Sequence, residues 1–139
     1  MPEQLFPEPT IGALIFNDTG QLFLMRSHKF KGQYVIPGGH IELGETMEEA
    51  LHREVREETG LSVRDVEFVG IQEFVFDPVF WKKRHFIFID FSCTTDESEV
   101  VLNEEGQSYC WASLEECGEL DIEPYTRKAI EMYNDKGAL

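Results

Sequence analysis

The sequence contains little cysteine, little positive charge and no long apolar run, and each shortage excludes a class of protein. Its three cysteines are odd in number and fit no Cys-x-x-Cys spacing, so neither a disulfide framework nor a zinc site is expected. No apolar stretch approaches the roughly 18 residues that a membrane-spanning helix needs. The first residues, MPEQLFPEPT, have neither the basic nor the apolar segment of a signal peptide. These shortages predict a cytoplasmic protein that does not enter a membrane; its cysteines are Cys93, Cys110 and Cys117.

The shortage of positive charge is the largest imbalance in the composition. Lysines and arginines number 12 against 27 aspartates and glutamates, so the formal net charge is −15. Such a surface repels phosphate backbones, and nucleic-acid binding is not expected. The excess of carboxylates suits divalent cations, although a solvated acidic surface is the commoner meaning of such a composition. The length of 139 residues predicts one domain over residues 1–139 and leaves open whether two copies form a homodimer.

Short apolar runs separated by turn residues predict the strands. The first two runs flank Asn17-Asp18-Thr19-Gly20, which predicts a β-hairpin. A loop follows, with a short apolar piece at residues 34–36, and Pro37-Gly38-Gly39 is expected to interrupt regular structure. Residues 96–106 form an acidic loop. The five predicted strands cover residues 11–16, 21–26, 63–76, 84–93 and 108–112.

Capping residues predict three helices. The first spans Met47–Thr59, because Thr46 and Glu49 form a capping box and Gly60 suits the residue after a helix. A second capping box, Ser113 with Glu116, opens a short helix, and the last helix begins at Pro124. Strands and helices in this mixed order predict an α/β or α+β sandwich around a mixed sheet. The buried stripe of the last helix is predicted to be Tyr125, Ala129, Met132 and Tyr133.

The first helix carries acid where a core-facing helix should be apolar. At about 100° per residue, Glu54 and Glu58 fall in the middle of the inward stripe, and Glu57 flanks it. Like charges one turn apart repel, and a buried carboxylate is costly unless it is paired. Either this end of the helix opens onto solvent, or a cation holds the carboxylates ionised. The apolar positions of the stripe are Met47, Ala50, Leu51 and Val55; Glu48, His52 and Arg56 face solvent.

Residues upstream of the acids favour the cation. Arg53 has five donors and a fixed charge, so it could reach back to Glu45 or across to a flanking carboxylate, and either pair would lock the acidic face in place. The Gly38-Gly39 turn could bring a bare carbonyl beside the carboxylates. Carbonyl and carboxylate oxygens together favour a hard cation, Mg²⁺ or Mn²⁺, over zinc.

The stretch GHIELGETMEEALHREVREETGL, residues 39–61, resembles the Nudix box at every fixed position. The segment YCWASLEE resembles a common strand–helix junction of the same family. The resemblance implies an α/β/α sandwich with a mixed β-sheet and a MutT-like hydrolase. Such enzymes use Mg²⁺ or Mn²⁺ to hydrolyse a nucleoside diphosphate linked to another moiety. By position, the resemblance implies that Glu54, Glu57, Glu58 and the carbonyl of Gly38 are metal ligands, braced by Glu45 and Arg53.

The helical geometry ranks these acids. Glu54 and Glu58 share a direction and are expected to hold the first ion together. Glu57 points aside, and we expect it to bind a second ion or to act as the base that activates water. Across the family the base is either a box glutamate or an acid on a distant loop. The loop alternatives here are Glu97, Glu99, Glu104 and Glu105.

Other residues are candidates for contacts with the bound substrate. Arg26 ends a predicted strand just before the glycine loop, so it is the favoured phosphate cation, and Gly39 is the backbone position beside it. Taken alone, Arg26 or any of the other candidate lysines and arginines is more often an ordinary surface charge. The aromatic segment FVFDPVFW could stack on a base, although such residues more often form core or a dimer contact. The remaining cations are Lys29, Lys31 and Lys82-Lys83-Arg84; the aromatics are Phe74, Phe76, Phe80 and Trp81.

The sequence alone leaves several substrates open. We favour a nucleoside triphosphate cleaved to a monophosphate and pyrophosphate. The alternative is ADP-ribose or a nucleotide sugar, for which Pro78, one strand beyond the box, is a weak signal. A non-catalytic module that senses a nucleotide is a third interpretation, but such modules usually lose box glutamates and none is lost here. A diphosphate isomerase is disfavoured because no cysteine is placed near the box.

Overall fold

The computed structural model describes residues 4–137 and contains one seven-stranded sheet and two α-helices. Two short 3₁₀ helices, His28–Phe30 and Glu116–Glu119, lie in the connections. Neither α-helix is long and apolar enough to cross a membrane. The elements in chain order are β1 (Glu8–Phe16), β2 (Leu22–Ser27), β3 (Tyr34–Val35), β4 (Gly38–His40), α1 (Met47–Thr59), β5 (Arg64–Val75), β6 (His85–Thr94), β7 (Gly106–Ala112) and α2 (Pro124–Gly137).

The sheet is mixed, as predicted. Its strands are ordered β3-β2-β1-β6-β5, with β4 paired to β1 and β7 paired to β2. The long pairing of β1 with β6 is parallel, whereas the other pairings between these strands are antiparallel. The parallel pair occupies the middle of the sheet and is covered on both faces, which is the usual situation of parallel strands.

The alternation of side chains along β1 shows why two helices sandwich the sheet. Ile11, Ala13 and Ile15 pack in one core with Leu51 of α1. Leu14 points to the other face and packs in a second core with Ala129 of α2. Both faces of β1 are apolar, so each needs a helix to cover it. The predicted α/β/α sandwich is confirmed.

The predicted first helix matches α1 at both ends. Thr46 accepts a hydrogen bond from the Glu49 amide, and Glu49 accepts one from the Thr46 amide, which completes the capping box. Gly60 has a φ of 76°, a left-handed conformation that glycine adopts without strain. The predicted hairpin is present as β1 and β2, with Gln21 and Thr19 amides both bonded to the side chain of Asn17.

Four local predictions were wrong or incomplete. Pro37-Gly38-Gly39 does not stop regular structure, since residues 38–40 form β4 and pair with β1. Met47 is 46% exposed because it lies in the first turn of α1, beyond the edge of the core. The reciprocal bonds between Ser113 and Glu116 are present, but they close a turn that precedes the 3₁₀ helix Glu116–Glu119, which has no side-chain cap of its own. In α2 the fully buried residues are Thr126, Ala129 and Ile130, and only Ala129 belongs to the predicted stripe.

Candidate active site

Arg53 is the centre of a hydrogen-bond network that fixes the acidic face of α1. Its Nε and Nη2 donate to the two carboxylate oxygens of Glu45 at 2.7 and 2.9 Å. Its Nη1 donates to Glu54 Oε1 at 2.9 Å, and Nη2 also donates to the carbonyl of His40 at 3.0 Å. The two-pronged ion pair holds the pKa of Glu45 down to about 2. The contact between Arg53 and Glu45 that the sequence predicts is present, and it ties α1 to β4 and to the loop between them.

Strand β4 lies directly against two of the carboxylates. Glu58 is only 2% exposed, and its Oε2 accepts a hydrogen bond from the Gly38 amide at 3.1 Å. A side chain at Gly39 would displace Glu54, because a Cβ there would lie 2.5 Å from the carboxyl carbon of Glu54. The absence of a side chain at Gly39 therefore allows β4 to approach Glu54 more closely than any other residue would.

Three carboxylates crowd at this point. Glu58 lies close enough to Glu54 and Glu105 for their charges to act on it. Burial, with the like charges of Glu105 and Glu54, raises the pKa of Glu58 well above its usual range. Burial also raises the pKa of Glu54, although the hydrogen bond from Arg53 opposes it. A proton on Glu58, or a cation, is what allows the three groups to remain together.

Glu105, the third acid of this cluster, is paired with a lysine. Lys29 Nζ lies 2.6 Å from Glu105 Oε1. Burial acts to raise the pKa of Glu105, but the hydrogen bonds with Lys29 and Glu58 outweigh it and leave the pKa below its usual value. Glu105 is therefore ionised at neutral pH, and any proton shared with Glu58 is held by Glu58.

The donors gathered here suit a hard divalent cation. They are carboxylate oxygens, the ligand type that Mg²⁺ and Mn²⁺ prefer, and a cation would relieve the repulsion around the buried Glu58. Between residues 4 and 137, no three His, Cys, Asp or Glu side chains are grouped closely enough to enclose one ion. In this arrangement Glu54 and Glu58 could supply two carboxylates, and other oxygen donors, such as a main-chain carbonyl or water, would complete the coordination.

The acidic cluster opens into a cavity of about 220 Å³. A second polar group, Gln72, Asp90 and Glu123, also lines this cavity. Aromatic faces with a few convergent polar groups suit a flat ring, and the acidic cluster suits a cation with an anionic group. The aromatic lining residues are Phe30, Phe80, Phe86, Phe88 and Tyr125.

The comparison with protein families decides where the chain belongs. The family model described as NUDIX domain matches residues 7–133. The chain belongs to the Nudix family. The nucleoside triphosphatase NudI of Escherichia coli (strain K12) is 34% identical to it over 109 residues, covering 74% of this chain and 77% of the relative. The resemblance seen in the sequence is confirmed, and the protein is a Nudix hydrolase.

Solved structures of Nudix proteins share its fold over nearly the whole chain. The MutT protein from Methanosarcina mazei Go1 superposes with a TM-score of 0.79 at 27% identity, covering 97% of this chain and 99% of that one. The NUDIX domain of Shewanella oneidensis NrtR, solved in complex with ADP ribose, gives 0.78 at 16% identity, covering 96% and 90%. The second likeness, at such low identity, concerns the fold alone.

Among the three predicted metal ligands of α1, Glu57 is the one that does not line the cavity. Its side chain is 56% exposed, and Arg53 Nη1 lies 3.4 Å from its Oε2. Glu54 and Glu58, by contrast, both line the cavity. The division expected from the helical geometry, with Glu57 turned aside, is therefore what the structure shows.

Arg26, predicted as the phosphate cation, does not line the cavity of this Nudix hydrolase. The residue is exposed, its guanidinium lies over the ring of Tyr34, and it is not among the residues that line the cavity. The reason is strand alternation: Met25 and Ser27 point into the cavity, so Arg26 points to the opposite face. Among the candidate phosphate cations, Lys29 is the one that pairs with an acid of the cluster.

The other candidate residues separate in the same way. Among the loop acids, Glu105 lines the cavity, whereas Glu97, Glu99 and Glu104 do not. Among the aromatics, Phe80 lines the cavity and Phe74 is buried in the core. Trp81 and Phe76 are about half exposed, and Lys82 and Lys83 lie over their respective rings.

Sequence reasoning missed the second polar group, Gln72, Asp90 and Glu123. One signal was available for Asp90, because it is the single charged residue in the apolar run FIFIDFSC of β6. A lone acid in a central strand is buried and must find a partner. No comparable signal marked Gln72, whose place depends on how β5 pairs with β6.

Proposed function

We propose that this domain, residues 1–139, hydrolyses a pyrophosphate bond of a nucleoside triphosphate to give a nucleoside monophosphate and pyrophosphate. The observation that carries the proposal is the opening of the Glu54–Glu58–Glu105 cluster into the same cavity as a set of aromatic side chains. The relative named nucleoside triphosphatase supports the choice of substrate class. The three free cysteines fit a reducing, cytoplasmic setting.

The residues of the site would have distinct roles. Glu54 and Glu58 would hold Mg²⁺ or Mn²⁺, with the carbonyl of Gly38 as a further donor. Arg53 and Glu45 would keep Glu54 in position. When bound, the cation neutralises charge on the phosphoryl oxygens and lowers the pKa of a coordinated water. Lys29, at the edge of the acidic cluster, would place a fixed positive charge beside the phosphates.

Two residues compete for the role of general base. The sequence favours Glu57, but its side chain faces solvent and Arg53. Glu105 lines the cavity and is ionised, so it is able to accept a proton from a water held there. We therefore place Glu105 ahead of Glu57 as the base.

The substrate is tested by a panel of nucleoside triphosphates, ADP-ribose and nucleotide sugars, incubated with Mg²⁺ in ¹⁸O-labelled water. Products are identified by mass spectrometry, and the labelled product shows which phosphorus was attacked. We expect monophosphate and pyrophosphate from at least one triphosphate. Turnover of ADP-ribose alone would replace the triphosphate assignment, and binding of nucleotides without turnover of any would favour a sensing module.

The ligand assignment is tested with Glu58→Gln, which removes the charge and keeps the shape. We expect kcat to fall on the order of 100-fold, with the fold retained. Glu48→Gln is the matched control, because Glu48 lies on the exposed side of the same helix. Glu105→Gln should lower kcat more than Glu57→Gln does. The reverse order would return the role of base to Glu57, and unchanged kcat in Glu58→Gln would contradict the metal site.

A further inference from the structure

Asp90 is a buried carboxylate outside the acidic cluster, and only one of its two oxygens has a hydrogen-bond partner within residues 4–137. It lies in the middle of β6 and is 4% exposed. Its Oδ2 accepts a hydrogen bond from Gln72 Nε2 at 3.0 Å. Its Oδ1 accepts no hydrogen bond from any donor in residues 4–137. Every side-chain oxygen in these residues that lacks a hydrogen-bond partner is at least partly accessible to solvent. Asp90 Oδ1 is therefore reachable from the cavity that Asp90 lines.

The position of Asp90 Oδ1 depends on a glycine in the neighbouring strand. Gly12 of β1 is the register partner of Asp90, and a Cβ at Gly12 would lie 2.6 Å from this oxygen. The missing side chain leaves the space into which the oxygen projects. Apolar residues are the rule in a central pair of parallel strands. The glycine opposite the acid in this pair therefore serves to make room for the carboxylate.

Gln72 fixes the orientation of the carboxylate. Its Nε2 donates both to Asp90 Oδ2 and to the carbonyl of Tyr125, at 3.0 and 2.8 Å. Both partners accept hydrogen bonds, so the amide has only this orientation, and its Oε1 remains an acceptor. Glu123 has a different task, because its two oxygens accept the amides of Tyr125 and Thr126 at the start of α2.

The unmatched oxygen is costly to the free protein. Burial, which the hydrogen bond from Gln72 only partly offsets, and the like charge of Glu123 raise the pKa of Asp90 to about 6. A ligand that donates a hydrogen bond to Asp90 Oδ1 would relieve this cost. A ligand that presents an acceptor there would increase it.

We propose that Asp90 reads the edge of the nucleobase, with Oδ1 accepting an N–H of a ring imide or an exocyclic amine. The inference rests on the proposed function, since the same cavity must hold the base while the acidic cluster holds the phosphates. Phe86, Phe88 and Tyr125 line the cavity and offer faces for a flat ring. Gln72 is a positioning residue, which acts through Asp90. The site therefore selects bases that present N–H to an acceptor and disfavours an edge that carries only acceptors.

The test combines a variant with substrate analogues. In Asp90→Asn the new side chain keeps an oxygen for Gln72 Nε2 and places an NH₂ where Oδ1 was, so the group that faces the base changes from acceptor to donor. For the preferred triphosphate, N-methylation of the recognised N–H should lower kcat/KM of the native enzyme on the order of 10- to 100-fold. The same methylation should cost Asp90→Asn much less, and the order of preference among bases should change. Asp135→Asn is the matched control, because Asp135 is exposed on α2.

Binding measurements separate this inference from the proposed function. Nucleoside monophosphates and their N-methyl analogues are titrated into the native protein by calorimetry, which needs neither turnover nor a variant that folds. Weaker binding of the methylated analogues supports base reading even if no triphosphate is hydrolysed. Equal binding of methylated and unmethylated forms across the panel overturns it. An enzyme that hydrolyses triphosphates while Asp90→Asn keeps the native base order also overturns it, and leaves the proposed function intact.

Discussion

At the level of single residues, two of the buried carboxylates, Glu58 and Asp90, differ in what surrounds them. Glu58 accepts a main-chain N–H and lies beside two further acids. Asp90 accepts one amide hydrogen bond, and the like charge of Glu123 acts on it. Both arrangements cost stability in the free protein, and both are understandable if a ligand supplies what is missing: a cation at Glu58 and a hydrogen-bond donor at Asp90.

The cost at Asp90 predicts a dependence of stability on pH. Its pKa is about 6 in the folded protein, against an ordinary value of 3.8. Between these values the unfolded chain has released the proton that the folded protein still holds, so stability falls as pH rises through this window. Asparagine does not titrate. The free energy of unfolding of Asp90→Asn relative to the native protein should therefore increase by up to about 3 kcal/mol between about pH 4 and pH 7. Urea melts at a series of pH values measure it, and a constant difference would mean that Asp90 has an ordinary pKa.

At the level of elements, the three-residue strand β4 connects the sheet to the acids of the site. It pairs with β1 through Gly38 and Gly39, and it contacts the acids of α1 with the same two residues. The two glycines are constrained by different neighbours. A Cβ at Gly38 would lie 2.1 Å from the backbone carbonyl of Ile11, whereas a Cβ at Gly39 would meet the end of the Glu54 side chain.

Alanine substitutions in β4 should therefore separate fold from activity. Gly39→Ala displaces a flexible side chain, so we expect a fold close to native and a loss of kcat on the order of 10- to 100-fold. Gly38→Ala collides with backbone and should destabilise the protein by about 1–3 kcal/mol. Gly118→Ala is the control, because a Cβ there meets nothing within 4 Å. Thermal melts and kcat measured side by side test the pair, and equal effects of the two substitutions on stability would contradict the geometry.

The contrast between α1 and β4 shows what the sequence could and could not predict. The bounds of α1, its capping box and the inward direction of Glu54 and Glu58 follow from local chemistry and a 3.6-residue period, and all are present. β4 has three residues and two glycines, so only its pairing with β1 makes it a strand. The cavity placements of Lys29, Glu105 and Asp90 likewise depend on strand register and loop paths, which no local pattern encodes.

At the level of the whole molecule, the net charge of −15 acts on both stability and binding. Repulsion among the acids disfavours the compact state, and dissolved salt screens it. An anionic substrate also meets an unfavourable field, which a bound divalent cation reduces locally. The general field and the specific cation site make separate contributions, and they can be told apart because screening depends on ionic strength, whereas site binding depends on one set of ligands.

Thermal melts in MgCl₂ and in NaCl of equal ionic strength measure the two contributions. NaCl should raise the melting temperature of the native protein by screening alone. Mg²⁺ should raise the melting temperature further, because its binding adds about 2.7 kcal/mol to the free energy of unfolding when its concentration is 100 times its Kd. Glu58→Gln should keep the NaCl effect and lose the additional Mg²⁺ effect, while Glu48→Gln, altered on the exposed side of α1, keeps both. An equal response of the native protein to the two salts would mean that no specific Mg²⁺ site stabilises the fold. An additional Mg²⁺ effect that survives in Glu58→Gln would mean that the cation binds somewhere other than at Glu58.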